Sequence, residues 1–169
     1  MKILRVLLLA AAAALSGMLL GGSLYDSLVL VPNINGNLPQ SLEHGRLFMH
    51  AATPGSFFRV ISPLTQVSLL LAGIFCWTVR SSRWWILAGL LAAVMADVLT
   101  FAYFYPRNEL MFQNPLGQPV ELLARTAQEW GRMNLVRIAL VAVAVGCALT
   151  ALIKLAATLA DARTSPDKQ

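Results

Sequence analysis

Four stretches of this chain are apolar for about the length a lipid bilayer demands, and nothing else in the sequence constrains the fold as tightly. A helix needs ~20 mostly apolar residues to cross the hydrocarbon core. Residues 6–25 run without charge between Arg5 and Asp26, and residues 60–79 do the same between Arg59 and Arg80. Residues 84–105 contain a single charge, Asp97. The fourth stretch, residues 134–157, carries Arg137 near one end and Lys154 near the other, and the long Lys154 stem can reach the headgroups. Composition agrees: 12% of the 169 residues are charged and 57% are hydrophobic, where soluble domains carry ~25% charge. Such a chain cannot clothe a surface that lies wholly in water, and it is too apolar to be disordered. The expected fold is all-α: an integral membrane four-helix antiparallel bundle forming one domain over residues 1–169. Two extracytoplasmic loops, residues 26–59 and 106–133, are expected to contain short helical segments.

Lysine and arginine placement sets the orientation. With the N-terminus in the cytoplasm, the inner segments hold Lys2, Arg5, Arg80, Arg83, Lys154, Arg163 and Lys168, seven bases in 25 residues. The outer segments hold Arg46, Arg59, Arg107, Arg125, Arg132 and Arg137, six bases in 66 residues. Both termini are therefore expected on the cytoplasmic side of a bacterial inner (plasma) membrane. The first apolar run resembles a signal peptide in its Lys2, Arg5 and alanine content. It continues through Met18, Leu19, Leu20 and Leu24, longer than a secretory h-region, and is read as a retained span. The net charge of +5 is not clustered into a stripe, so no nucleic-acid partner is expected; the partner is the lipid bilayer.

In lipid, helices associate by close contact rather than by hydrophobic force. Gly17-x-x-x-Gly21, the Gly89, Ala93, Asp97 series and the Ala142, Gly146, Thr150 series offer small-residue faces for that contact. Ser81-Ser82 is expected to join spans two and three as a hairpin. In the first outer loop the stretch from Pro32 to Pro39 is turn-rich. Ser41 is then placed to cap a helix through Ala52, with Leu42, Leu47, Phe48 and Ala51 on its apolar side and Pro54-Gly55 ending it. This helix is expected to lie on the membrane or cap the bundle. In the second loop, Asn114-Pro115-Leu116-Gly117 makes a turn. Pro119 and Glu121 then open a helix that runs unbroken into the fourth span, with Gly131 as a possible kink.

Polar groups inside a membrane are costly and are functional candidates by default. Asp97 stands eight residues from Tyr105, ~12 Å below the outer end of its span, and Gln66 stands ~9 Å below Val60. Thr65, Ser68, Thr100, Tyr25, Asp26, Asn134 and Arg137 share that outer half. These residues predict a polar pocket that opens outward beneath the loops. Asp97 has a packing alternative, a salt bridge to Arg137 or Arg59. Trp84 and Trp85 read as interfacial belt residues. His44 and His50 lie six apart, off a common helical face, and no second ligand cluster accompanies them, so no metal site is expected. Cys76 and Cys147 are expected to be small buried hydrophobes. No phosphate-binding loop, dinucleotide fingerprint, nucleophile elbow or haem-attachment motif occurs.

The run Tyr105-Pro106-Arg107-Asn108-Glu109-Leu110, followed by Trp130-x-x-x-Asn134-x-x-Arg137, resembles the anthrone oxygenase-like family of small four-helix membrane proteins. Pro106, Asn108, Trp130 and Arg137 fit that family's pattern, whereas Asn134 stands where histidine is frequent. The resemblance implies oxidation of a small aromatic or lipid-soluble substrate by molecular oxygen without a cofactor. It further implies that Arg137 stabilises an oxyanion, Asn108 and Asn134 orient it, and Trp130 stacks on a flat ring. Asp97, Glu109 or His50 would serve as the base. Catalytic candidates are thus Asp97, Asn134 and Arg137, and substrate-binding candidates are Gln66, Asn108, Glu109 and Trp130. The alternative is a non-catalytic membrane protein that binds a small hydrophobic ligand, a lipid or a protein.

Overall fold

The computed structural model describes residues 1–164. Lys168, one of the inner bases counted above, lies outside them. The described residues contain helices and no strand. We label the helices α1 (Lys2–Asn35), α2 (Gln40–Phe48), α3 (Pro54–Phe75), α4 (Arg80–Phe112) and α5 (Val120–Thr164). Four of them, α1, α3, α4 and α5, are long and apolar enough to cross a membrane. They form a ring in which α1 packs on α3 and α5, and α4 packs on the same two.

The ends of the bundle differ. At the end holding Met1 and the α3–α4 turn, Arg5 Nη2 donates to Thr78 Oγ1 (3.3 Å) and Ser82 Oγ donates to the Ala151 carbonyl (3.0 Å). The core there is small and apolar, built around Leu9, Ala12, Leu69, Ile86, Ala148 and Leu155. Buried Cys76 and Cys147 are unpaired, as expected. Ser81 and Ser82 do not form the connection; they sit in the first turn of α4, and the reversal occurs at residues 76–79.

At the opposite end the helices run further than the sequence suggests. α1 and α4 each pass through a proline, Pro32 and Pro106. A proline inside a helix lacks the N–H for the ladder, and its ring presses on the carbonyl four residues earlier. In both helices a π-helical turn stands just before the proline, Asp26–Leu30 in α1 and Thr100–Phe104 in α4. The wider turn absorbs the misfit, so the expected turn at Pro32 is helical as far as Asn35. α5 is unbroken, with no interruption at Gly131; that glycine instead gives room to Val31 of α1, 3.2 Å from where a Cβ would stand.

α2 caps the bundle through Leu42, which packs with Ile34, Met111, Leu123 and Ala127. Leu47 and Phe48 point outward, and Ala51 lies beyond the helix. Ser41 does not cap α2; its hydroxyl donates to the Ile34 carbonyl and pins the preceding loop. Pro54 does not end a helix but begins α3. Thr53 is its N-cap in a reciprocal capping box with Ser56, and proline suits the first helical position because its missing N–H has no partner there anyway.

The small-residue faces divide. Gly89 meets α5, with Cys147 Cβ 3.1 Å from where its own Cβ would be. Ala93 is buried in the same core. Gly17, Gly21 and Gly146 face open space, so the expected packing role of the Gly17/Gly21 pair falls instead to neighbouring Gly22, where Phe57 Cε1 of α3 lies 2.8 Å from where a Cβ would stand. Gly89→Val should therefore cost ~1–3 kcal/mol through overpacking. Gly17→Ala should be neutral or stabilise by up to ~1 kcal/mol, because a mid-helix glycine only adds backbone entropy. Thermal unfolding in detergent, followed by circular dichroism, checks both.

Candidate functional site

Between the apolar core and the α2 cap, the helices part around two cavities. The outer one holds about 630 Å³ beneath the α2–α3 connection and is lined by Asp26, Phe58, Phe104, Asn108, Glu109, Trp130 and Arg137, among others. The inner one, about 110 Å³, descends among all four spanning helices past Ser62, Pro63, Ala96 and Asp97, with Ser16, Leu19 and Ser23 of α1 on one side. Phe58, Arg59, Thr100, Tyr105 and Arg137 line both and form the neck between them. The outer volume is within the ~300–1,000 Å³ usual for small-molecule sites. The inner one has room for only a few water-sized molecules.

Arg137 occupies the centre. Its Nη2 donates to Asp26 Oδ2 at 2.8 Å, and both residues are buried, with 5% and 3% exposure. Three rings surround the guanidinium, Phe104 at 4.6 Å, Phe58 at 4.7 Å and Trp130 at 5.9 Å from their centroids. This aromatic box favours a flat cation. The π-helical turn of α1 begins at Asp26, and that of α4 supplies Thr100 and Phe104 to the cavity wall. Such turns are frequent at functional sites because they re-aim side chains.

Asp97 does not pair with Arg137 or Arg59. Its Oδ1 accepts from Ser62 Oγ and its Oδ2 from Gln66 Nε2, both at 2.6 Å. The carboxylate is thus held in one orientation at the inner cavity by two donors of α3. Gln66 lines neither cavity and reaches the site only through Asp97.

Asn108 Oδ1 accepts from Trp130 Nε1 at 2.8 Å, which ties the extension of α4 to α5 above the site. Trp130→Phe keeps the ring beside Phe104 and Arg137 but loses this bond, for an expected cost of ~1 kcal/mol. A double-mutant cycle with Asn108→Ala, read by thermal unfolding, checks it. Asn134 faces away from both cavities; its Nδ2 donates to Ser27 Oγ (2.7 Å) and the Ser23 carbonyl (3.1 Å), fixing α5 to α1. Glu109 and His50 stand exposed on the outer cavity wall. His44 lies elsewhere, and among the described residues no group of three histidine, cysteine, aspartate or glutamate side chains gathers as for a metal ion.

Asn108, Trp130 and Arg137 thus line the outer cavity together, and Asp97 lies in the inner cavity beyond the neck. The model of the anthrone oxygenase family matches residues 48–147, more than half of the chain. The chain belongs to the anthrone oxygenase family. The matched segment of this family member carries α3, α4 and the cavity-lining part of α5, while Asp26, the partner of Arg137, lies outside it on α1. No curated protein and no solved structure matches.

Sequence reasoning named Arg59 only as an alternative partner of Asp97, and placed Asp26 in the outer polar half without pairing it with Arg137. An available signal was that Asp26 terminates an otherwise uncharged apolar run, where a carboxylate needs a cation.

Proposed function

We propose that this family member oxidises a small electron-rich aromatic, of the anthrone or hydroquinone type, with molecular oxygen and no cofactor. The observation that carries the reading is the joined pair of cavities, with an oriented carboxylate at the floor and a boxed arginine at the neck. A flat substrate in the outer cavity stacks among Phe58, Phe104 and Trp130. With the CH2 edge of an anthrone turned through the neck toward the inner cavity, Asp97 removes a proton from that acidic C–H, and the positive field of Arg137 favours the oxygen of the resulting enolate. The electron-rich anion gives up electrons to dioxygen, for which the inner cavity has room, and a C–O bond forms. The resulting peroxide anion takes a proton to become a hydroperoxide. Loss of the remaining C–H and cleavage of the O–O bond release water, so a CH2 group and O2 become a carbonyl and H2O. Ser62 and Gln66 position the base, Asn108 holds Trp130, Asn134 holds α1 against α5, and Glu109 stands at the rim.

The loop end then faces outward from a bacterial plasma membrane, with both termini cytoplasmic; the density of lysine and arginine at the other end supports this orientation. Oxygen uptake by the detergent-purified protein, supplied with anthrones and hydroquinones, tests the function. Uptake above the protein-free rate supports it. A second reading, a non-catalytic membrane protein that binds a ligand, lipid or partner, is favoured by the engagement of Arg137 with Asp26, and it expects no uptake from a folded protein.

A further inference from the structure

The neck of the cavities is lined by two arginines that stand in different states. Arg137 is bound to Asp26. On the outer cavity wall, Arg46 is bound to Glu43. Arg59, which lines both cavities, makes no ion pair and donates no side-chain hydrogen bond among the described residues. Two acidic groups remain in reach of a ligand, and neither occupies the neck: Asp97 is held by Ser62 and Gln66 in the inner cavity, and Glu109 lines only the outer one. The neck therefore presents an exposed, uncommitted guanidinium on a wall it shares with Phe58, at the mouth of the cavity that Phe104 and Trp130 also line.

We propose that Arg59 is the receptor for an anionic group on the ligand, so that the class taken is a flat aromatic bearing an edge oxyanion, a carboxylate or an ionised phenol. A guanidinium offers two parallel N–H donors to such an edge, stronger than neutral hydrogen bonds and selective for geometry. The Tyr105 side chain lines the neck beside it. Arg137 is ill placed to be the receptor, because binding a second anion would draw it from a buried carboxylate. This inference rests on the cavity being a ligand site as read above, and it transfers the anion-binding role from Arg137 to Arg59.

The test uses the full-length protein in an uncharged detergent at low salt, titrated by calorimetry with anthraquinone-2-carboxylate and with its neutral carboxamide. The wild type should bind the carboxylate on the order of tenfold more tightly, the scale of one charge-assisted hydrogen bond. Arg59→Gln should bind both ligands equally, and Arg59→Lys should keep part of the preference. Circular dichroism establishes that the variants are folded. Three results overturn the proposal: equal binding of both ligands by the wild type, an undiminished preference in Arg59→Gln, or no binding of either ligand. Oxygen uptake is a separate readout. A protein that prefers the carboxylate but takes up no oxygen sinks the oxidation alone, and one that takes up oxygen without the preference sinks only the role of Arg59.

Discussion

Arg137→Ala should destabilise the protein by ~3–5 kcal/mol, the cost of leaving one member of a buried ion pair uncompensated. The stranded group is Asp26, 3% exposed on α1 and without another cation in contact. The variant also empties the box formed by Phe58, Phe104 and Trp130, so packing is lost along with charge. Asp26→Leu combined with Arg137→Met should recover most of the stability, because a well-packed apolar pair often equals or exceeds a buried ion pair. Neither variant should support turnover. Thermal unfolding of the wild type, Asp26→Leu, Arg137→Met and the double variant gives the coupling between the two sites directly. If Arg137→Ala unfolds at the wild-type temperature, water reaches the pair and the energetic argument for it fails.

Asp97→Asn should behave in the opposite manner, with a large effect on rate and a small one on stability. The amide oxygen still accepts from Ser62 Oγ, and a rotated Gln66 side chain meets the new NH2 group, so the links to α3 survive. What disappears is the base, and general-base catalysis contributes about 10²- to 10⁴-fold. Oxygen uptake should fall by that factor in a protein whose circular dichroism and unfolding temperature match the wild type. Undiminished uptake would remove Asp97 from the chemistry and leave Glu109 and His50, the other two base candidates, which line the outer cavity.

The four spans were legible because length and apolarity alone decide whether a helix can cross a bilayer. The unbroken α5 was legible from the three- and four-residue recurrence of Leu122, Leu123, Thr126, Trp130 and Met133. Which face of a span turns inward was not. In water the apolar side of a helix marks its core side, but in lipid both sides are apolar, so Gly17 and Gly89 look alike in sequence and only Gly89 is packed. Pro32 read as the start of a turn and the third span as ending at Tyr105, yet π-helical turns carry both helices on through Pro32 and Pro106. Asp97, Asn108, Trp130 and Arg137 were singled out by the cost of polarity in a membrane and by family pattern, and each lines one or both of the cavities. Their partners were not found, since Asp26 against Arg137 and Gln66 against Asp97 are choices made by tertiary packing. Asn134 carried the same signals and faces away from the cavity, toward Ser23 and Ser27.

The Asp26–Arg137 pair joins residues 111 positions apart, and that separation bears on how the protein is made. At a synthesis rate of ~5–20 residues per second, roughly 6–22 s pass between the emergence of the two partners. During that interval the nascent α1 has its carboxylate without its cation, in or beside a membrane that penalises it. α1 can meet α3 earlier, but its contacts with α5 and the cation for its carboxylate come only when α5 arrives, so the last helix made closes the ring and completes the neck of the cavity together. A nascent chain arrested before residue 137 should leave α1 open to crosslinking from the insertion machinery, and one arrested well after it should not.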